Sequence, residues 1–399
     1  MHILMIAPEP FFEPRGTPFS EFHRIRALTT LGHTVDLVTY PFGRDVELPG
    51  LRIFRCLRPP FMRRIGIGPS WSKVPLDLAL TLTACRRAIR GGYDAVHSHE
   101  EGGVIGVILA RLLRVPHLYD MHSSLPQQVT NFAYSSGGWL AKMLAWSERL
   151  MVGRSQAVIV ICPDLESTVR EISKTVPVVL IENAPGSGRA PEAGSGAAVR
   201  RSLGLGDETP VLLYTGTFEA YQGLDLLFDA FVRVVARRPD ARLVLVGGEP
   251  PQVERARARV DKLGLSGHVL FTGQRPAEDV PAYLDAATLL VSPRSTGTNT
   301  PLKIYQYLRS GRPIVATRLR THTQVLSDET AWLAEPTPEG FARVVLDALA
   351  DPSRSKSIGA AARALAEQKY TDEAFIANTA RAVSYLAPRD GQAAPESAS

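Results

Sequence analysis

The feature that most constrains the fold of this chain is a regular alternation of short apolar runs with stretches of helical periodicity. The runs are continuous and do not alternate in polarity, which is typical of parallel strands buried on both faces. Helical stretches such as 20–31, 74–90 and 139–152 supply the crossover connections that parallel strands require. The apolar runs are residues 2–8, 33–40, 51–56, 94–99, 116–122, 157–162, 176–183, 211–216, 241–248, 268–273, 288–293, 313–317 and 330–335.

These runs fall into two series. The segment between them, 185–210, is rich in Gly, Pro, Ala and Ser, which predicts a linker or exposed loop. A chain of 399 residues is long enough for two cores. We therefore predict an α/β protein of two doubly wound, Rossmann-like domains facing a cleft, at 1–184 and 211–368, with ligands at the carboxyl ends of the strands. The tail at 387–399 is poor in apolar residues, so we expect it to be disordered.

Composition excludes several classes of protein. About 45% of the residues are apolar, with 32 glycines and 30 prolines, as in a soluble globular enzyme. The three cysteines, at 56, 85 and 162, are far apart and form no CxxC, which is typical of reduced thiols inside a cell. The first residues lack a signal-peptide pattern, and no apolar stretch approaches about 18 residues. These features predict a cytoplasmic location.

The net charge of +5 arises in the first half of the chain, where residues 1–190 carry 21 Lys and Arg against 16 Asp and Glu. Part of the excess lies in 58–73, which mixes four cations with apolar side chains and contains no acid. That mixture predicts contact with the inner face of the cell membrane or with a phosphorylated acceptor. The alternative is a solvated loop with its aromatic side chains tucked beneath it. No motif supports binding of nucleic acid.

The first glycine-containing turn could bind an anion. Gly16 and Thr17 precede a helix predicted to begin near Pro18, and the amides of such a turn can face a ligand. A plain strand-to-helix turn is the alternative. The sequence has no GxGxxG followed by an acidic residue at the end of the second strand, which argues against a dinucleotide, and no GxxxxGK[ST], which excludes a P-loop.

Three histidines fall near the ends of neighbouring predicted strands: His97, His99 and His122. They could hold zinc, but we identify no carboxylate that would complete the set, so no metal site is predicted. They could instead bond to loops at the strand ends, and His122 could contact a substrate. No GxSxG occurs and no Cys lies near a His in sequence, so nothing supports a nucleophilic hydrolase.

The segment 297–317, GTNTPLKIYQYLRSGRPIVAT, predicts a polar loop, a helix and a strand. The first turn of this helix follows an apolar run and carries Lys303 but no carboxylate. A helix N-terminus attracts anions, and a carboxylate there would repel them. We therefore expect an anionic ligand at this turn.

Together with the segment LLYTGTFEAYQGLDLLFDAF, the 297–317 segment resembles glycosyltransferase family 4, the large retaining group with the GT-B fold. The resemblance covers nearly the whole chain and includes the first glycine turn, DAVHSH and IENA. It is most specific at 216–227, which resembles G-R-x-x-x-x-K-G-x-D-x-L, and at 301–317. The resemblance also implies that residues 369–386 form a C-terminal helix that crosses back to the first domain.

The charged positions of the family are replaced here. Its phosphate-binding arginine and lysine fall on Thr217 and Gln222, and its two glutamates, separated by seven residues, fall on Thr298 and Gln306. All four side chains are neutral in this chain, and Thr217 and Gln222 remain candidates for donor binding. The resemblance implies that Gln306 bonds to the ribose of the donor and that Thr298 contacts the hydroxyl of its sugar.

The charge of a donor diphosphate must then be met by other residues. We expect Lys303, the amide of Leu302 and the side chain of Arg294 to meet it. The polar residues Asn299 and Thr300 precede the helix and are further candidates for donor binding.

The resemblance implies roles for five other residues. Gly273 and Arg275 would lie near the nucleotide base, Gly16 and Thr17 would line the acceptor side, and His122 would orient the reacting centre. It also implies a retaining transfer that needs no metal and no cofactor beyond the nucleotide-sugar co-substrate. The acceptor would be a saccharide or a lipid-linked molecule of polysaccharide biosynthesis in the cell envelope.

Two other functions stay open. Loss of the four charged positions could leave a catalytically silent GT-B domain that binds a sugar nucleotide or acts as a scaffold. A sugar-nucleotide epimerase of the same fold would need a site rich in carboxylates and histidines, which the second half does not show.

Overall fold

The computed structural model describes residues 1–12, 16–60, 62, 73–126, 138–183, 192 and 194–387. The chain forms two compact units: unit 1 is Met1–Asn183 with Glu373–Ser399, and unit 2 is Ala184–Asp372. Each contains one parallel sheet with helical crossovers, which confirms the predicted pair of Rossmann-like folds. Most of the basic segment (61 and 63–72), the start of the predicted linker (184–191) and the tail from 388 onward lie outside the described residues.

Unit 1 has a seven-stranded sheet in the order β3-β2-β1-β4-β5-β6-β7. Most of its residues are buried, which explains the continuous apolar runs in the sequence. The strands are β1 His2–Ala7, β2 Thr34–Thr39, β3 Leu51–Arg55, β4 Ala95–His99, β5 His117–Met121, β6 Ala157–Val160 and β7 Val178–Leu180. The helices are α1 Gly16–Thr30, α2 Val74–Arg90, α3 Gly102–Leu113, α4 Gly138–Arg154, α5 Pro163–Ile172 and, from the end of the chain, α14 Asp372–Ser384.

Helix α14 packs on the sheet of unit 1. Phe375 is buried in one core cluster with Leu118 and Ile159 of that sheet. Thr379 accepts a hydrogen bond of 2.8 Å from the guanidinium of Arg24 in α1. The last helix therefore belongs to the core of the first unit, although unit 2 separates the two in sequence.

Unit 2 has a six-stranded sheet in the order β10-β9-β8-β11-β12-β13. Its strands are β8 Val211–Gly216, β9 Arg242–Gly247, β10 Val269–Gly273, β11 Leu289–Ser292, β12 Ile314–Thr317 and β13 Trp332–Ala334. Its helices are α6 Ser195–Ser202, α7 Leu224–Arg237, α8 Pro250–Lys262, α9 Val280–Ala286, α10 Leu302–Ser310, α11 Arg320–Thr323, α12 Pro338–Ala350 and α13 Pro352–Lys369.

The predicted linker needs a correction in its second part. Helix α6 lies within it and packs against α9. Arg200 of α6 donates hydrogen bonds of 2.9 Å to the carbonyl oxygens of Ala286 and Thr209. The small residues that made this stretch look like a linker let the helix approach α9 closely, since Gly196 packs directly against Asp285.

Both sheets reverse their strand order beside the first strand of the unit. The reversal lies between β1 and β4 in unit 1 and between β8 and β11 in unit 2. Connections leave such a point in opposite directions, so ligands of open parallel sheets bind there, beyond the carboxyl ends of the strands. Within the part of the chain that the structure describes, no helix is both long and apolar enough to cross a membrane.

Candidate functional site

The reversal point of unit 2 holds a buried lysine. Lys303 is the second residue of α10, and only 8% of it is exposed. Its Nζ donates a hydrogen bond of 3.1 Å to Oε1 of Gln222 and lies 3.7 Å from the centroid of the Tyr214 ring. The ammonium group therefore reaches back from the helix to the turn that follows β8.

A glycine makes room for this ammonium. Gly216 ends β8 with a φ of 131°, a backbone conformation that side chains disfavour. A Cβ atom at this position would lie 3.0 Å from the Nζ of Lys303. Any larger residue at 216 would therefore displace the lysine.

A second cation follows β11. Nη1 of Arg294 donates hydrogen bonds to the carbonyl oxygen of Asn299 at 2.7 Å and to Oγ1 of Thr321 at 3.1 Å. Its guanidinium carbon lies 5.0 Å from the centroid of the Tyr221 ring. Gly297 has a φ of 111°, and a Cβ atom there would lie 2.9 Å from Nη2 of Arg294.

Neither cation has an acidic partner in the described part of the chain. Among the described residues, no carboxylate lies within 4.0 Å of the charged nitrogens of Lys303 or Arg294. Burial holds the pKa of Lys303 well below its usual value, and the charge of Arg294 lowers it further. Burial also lowers the pKa of Arg294. An anion bound here would offset the cost of burying positive charge.

The loop before α10 is fixed mainly through its backbone. The carbonyl of Thr298 accepts a hydrogen bond of 2.6 Å from the side chain of Gln324, and the carbonyl of Asn299 accepts one of 2.5 Å from Thr321. The hydroxyl of Thr300 is buried and has no hydrogen-bond partner within the described ranges. In the turn after β8, the carbonyl of Thr217 accepts a hydrogen bond of 2.6 Å from the hydroxyl of Tyr214.

The other predicted donor residues lie in α10 and near the end of β10. Leu302 is the first residue of α10, where amides have no partner within the helix, and Gln306 is exposed in the second turn. Gly273 ends β10, the edge strand, with a φ of 71°. The exposed Arg275 has its guanidinium 6.0 Å from the ring of Tyr283.

A further buried residue near Arg294 and Lys303 is His322, which the sequence analysis did not identify. Its Nε2 is 2.8 Å from the hydroxyl of Ser292, and its Nδ1 is 2.8 Å from the carbonyl oxygen of Thr317. Burial lowers the pKa of His322 to about 3, and the charges of Arg294 and Lys303 also lower it. The imidazole is therefore neutral at physiological pH and adds no third charge. An isolated histidine in a helical stretch carries no motif that could have revealed this.

The reversal point of unit 1 holds a buried ion pair. Nε of Arg24, in α1, donates to Oδ2 of Asp120, in β5, at 2.9 Å, with side chains 2% and 0% exposed. Burial favours the neutral acid, but the Arg24 guanidinium and a hydrogen bond from His122 hold the pKa of Asp120 well below its usual range. Asp120 is therefore a carboxylate.

The three predicted histidines surround this carboxylate. The rings of His97 and His99 stack with centroids 4.7 Å apart. Nε2 of His122 lies 3.2 Å from Oδ1 of Asp120 and 3.3 Å from Nδ1 of His99. Burial lowers the pKa of His97 and lowers that of His99 strongly. His122 is also buried, and its contact with the carboxylate of Asp120 orients its ring.

The conclusion from the sequence that no carboxylate completes the histidine set was wrong. His97, His99 and Asp120 offer ligand atoms that all lie within 4.8 Å of one another, so they could hold a metal ion. Asp120 lies inside an apolar run, and the sequence did not show that its side chain shares a face with the two histidines. Arg24 already balances the charge of Asp120, so a cation would have to compete with the guanidinium.

Helix α1 brings two more buried groups to this end of the sheet. Gly16 and Thr17 lie in its first turn, and Glu21 and His23 follow with no hydrogen-bond partner for their side chains among the described residues. Burial, and then the charge of Asp120, hold the pKa of Glu21 well above its usual range. Burial lowers the pKa of His23 to about 3. His23 is therefore neutral at physiological pH.

Two family models match the chain. One described as "Glycosyl transferase 4-like domain" matches residues 23–184, and one described as "Glycosyl transferases group 1" matches residues 209–351. Together they span more than half of the chain; the first includes β4 and β5 of unit 1, and the second includes β8 and β11 of unit 2.

Individual proteins give the same result. The D-inositol 3-phosphate glycosyltransferase of Corynebacterium jeikeium is 27% identical over 68% of this chain, which spans 66% of the length of that protein. The alpha-D-kanosaminyltransferase of Streptomyces kanamyceticus is 26% identical over 93% of this chain and 96% of its own length. The structure of Anabaena Alr3699/HepE in complex with UDP superimposes with a TM-score of 0.75, at 18% identity, over 97% of this chain and 100% of that one.

The two parallel-sheet units and the structural similarity define the fold as GT-B. The chain belongs to the group 1, or family 4, glycosyltransferases, a family of enzymes that transfer sugars.

The Arg24–Asp120 pair should be essential to the stability of unit 1. Either Arg24→Met or Asp120→Asn leaves its partner buried without a counter-charge, which should cost about 3–5 kcal/mol. The double variant should lose less than the sum of the two. Urea unfolding of the three variants measures these free energies.

The matched control is Arg363→Met, which removes an exposed pair with Glu367 and should cost less than about 1 kcal/mol. Additive losses in the double variant would show that the two side chains do not act as a pair.

Proposed function

We propose that the protein transfers a glycosyl group from a nucleoside-diphosphate sugar to an acceptor hydroxyl, with the diphosphate bound at the carboxyl ends of β8 and β11. The observation that supports this most strongly is the pair of cations, Lys303 and Arg294, for which the described residues supply no carboxylate. A diphosphate carries at least two negative charges and accepts charge-assisted hydrogen bonds from both groups.

The position of Lys303 compensates for a missing family residue. The family places a lysine at the position of Gln222, and here the side-chain oxygen of Gln222 accepts a hydrogen bond from Lys303 at 3.1 Å. The positive charge therefore lies beside the position where the family has it, although it comes from α10. This supports the view that the site has exchanged its cations and has not lost them.

The start of α10 adds neutral donors to this site. The amide of Leu302 lies in the first turn, where the helix dipole favours an anion. The hydroxyl of Thr300 is buried without a partner among the described residues and could donate to a phosphate oxygen. We assign Thr298 to the donor sugar and Gln306 to the ribose. Asn299 would hold the loop, and Gly273 and Arg275 would lie near the base.

The chemistry follows from charge. As the glycosidic bond breaks, negative charge accumulates on the departing diphosphate, and preorganised donors stabilise it, each worth on the order of 3 kcal/mol. We propose that a phosphate oxygen then takes the proton of the acceptor hydroxyl on the same face of the sugar, so the anomeric configuration is retained. Lys303 and Arg294 supply the positive charge, so the proposal includes no metal.

We assign the acceptor to unit 1. Asp120 orients the imidazole of His122 through a contact of 3.2 Å. Gly16 and Thr17 begin α1, the helix that carries Arg24 of the same cluster. One relative is named a D-inositol 3-phosphate glycosyltransferase and another a phosphatidylinositol monomannoside mannosyltransferase, so a small polar acceptor or a lipid-linked acceptor fits the family.

A silent sugar-nucleotide-binding domain is the second candidate, because four charged positions of the family are neutral here. Turnover separates the two functions. Incubation with UDP-, GDP- and ADP-glucose without acceptor should release free nucleotide slowly from one donor, and Lys303→Met should reduce the rate. EDTA should leave the rate unchanged. Binding of a donor without any release, even with added saccharides, would support the silent domain.

Removal of the lysine should weaken product binding. Lys303→Met eliminates a charge-assisted contact worth about 1.5–3 kcal/mol, so affinity for UDP should fall about tenfold to a hundredfold. Affinity for uridine should change little, because uridine has no phosphates. Isothermal titration calorimetry measures both ligands. Lys356→Met, on the exposed surface of α13, is the matched control and should bind like the wild type.

The same titrations reveal the protonation of Lys303. Its pKa is well below the usual value in the free protein, and a bound diphosphate would raise it. Binding should therefore take up a proton at a pH between the two values, and affinity should fall as pH rises through the lower one. Titrations in two buffers of different ionisation enthalpy measure this uptake. Equal uptake by the wild type and Lys303→Met would contradict the assignment.

A further inference from the structure

Helix α2 is apolar on the side that faces away from its unit. Its buried residues Leu76, Leu80, Ala84 and Ala88 follow helical spacing and pack on the sheet. Val74, Leu78, Leu82 and Ile89 also follow helical spacing, but nearly opposite to the buried side. A surface helix normally carries polar residues there.

Helix α3 extends this apolar surface. It packs against α2, and its Ile108 and Leu112 point outward. We define the α2–α3 face as the residues Val74, Leu78, Leu82, Ile89, Ile108 and Leu112. All six are at least half exposed, from 52% for Ile108 to 85% for Ile89.

The apolar exposure is specific to unit 1. Among the described residues of unit 2, Tyr221 alone is a comparably exposed large apolar side chain. Isolated exposed apolar residues are normal, whereas six of them on two helices that pack together indicate a surface that another body covers.

The exposed charged residues of these two helices are all arginines. Arg86 and Arg90 of α2, and Arg111 and Arg114 at the end of α3, are exposed. Within the described part of the chain, none of them has a carboxylate within 4.0 Å. The two helices contain a single acid, Asp77, which accepts a hydrogen bond from Tyr40. The partner of the face is therefore apolar in part and negatively charged.

We infer that the α2–α3 face binds the surface of an anionic lipid bilayer. The 17 residues of α2 give a helix about 25 Å long that can lie in the plane of the interface. Its aliphatic side chains would enter the acyl boundary and the arginines would contact lipid phosphates. A second copy of the chain fits less well, because a symmetric contact would bring the same arginines together.

This inference does not rest on the proposed transferase activity, since membrane binding can be measured without a donor. Flotation tests it directly. The full chain is mixed with vesicles of phosphatidylcholine, or of phosphatidylcholine with about 30% phosphatidylglycerol. The wild type should float with the anionic vesicles, and high salt should weaken its binding.

Two double variants test the two components of the face. Leu82→Glu with Ile89→Glu removes apolar contacts, and Arg86→Glu with Arg90→Glu reverses the charge; each should lower partition about tenfold or more. Met143→Glu, at an exposed apolar position of α4, is the matched control and should bind like the wild type. Unchanged thermal unfolding would show that the variants fold.

Failure of the wild type to float would overturn the inference, as would equal flotation of the double variants. A loss as large in Met143→Glu would place the contact on α4 and refute the α2–α3 face. A dimer in sedimentation that Leu82→Glu with Ile89→Glu dissociates, without vesicle binding, would instead identify the face as a self-interface.

Discussion

A buried ammonium is stable only if its surroundings replace the water that it has lost. In unit 2, the ammonium of Lys303 donates a hydrogen bond to the side-chain oxygen of Gln222 and lies over the face of the Tyr214 ring. No carboxylate among the described residues pairs with it. Arg294 has backbone and hydroxyl partners and likewise no acid. Two cations without acidic partners among the described residues, at the reversal point of a parallel sheet, make the binding of an anion favourable. The proposed donor site depends on this unbalanced positive charge.

The surrounding structure preserves this unbalanced positive charge. Gly216 and Gly297 adopt positive φ angles and keep the space beside the two cations free of side-chain atoms. Thr321 and Gln324 hold the loop before α10 by its carbonyl groups. In the same loop, the buried hydroxyl of Thr300 has no partner among the described residues. These contacts fix the donors before a ligand arrives, which is the condition for strong electrostatic stabilisation of a leaving group.

Much of this could be predicted from the sequence, and the failures have physical reasons. Continuous apolar runs identified all thirteen strands of the described residues, because a strand buried on both faces has no polar alternation. Lys303 was identified from its place at a helix start. The burial of its side chain and its bond to Gln222 were not, because they depend on a contact across 81 positions. Asp120 was missed because a single acid inside an apolar run does not reveal which groups face it. Helix α6 was missed because its small residues are also typical of linkers.

A crystal structure of the full chain with a bound nucleoside diphosphate tests the central claim most directly. The account predicts that oxygens of the terminal phosphate lie within hydrogen-bond distance of Nζ of Lys303 and of the guanidinium of Arg294, at the start of α10. A diphosphate held elsewhere, with Lys303 still bonded only to Gln222, would contradict the account.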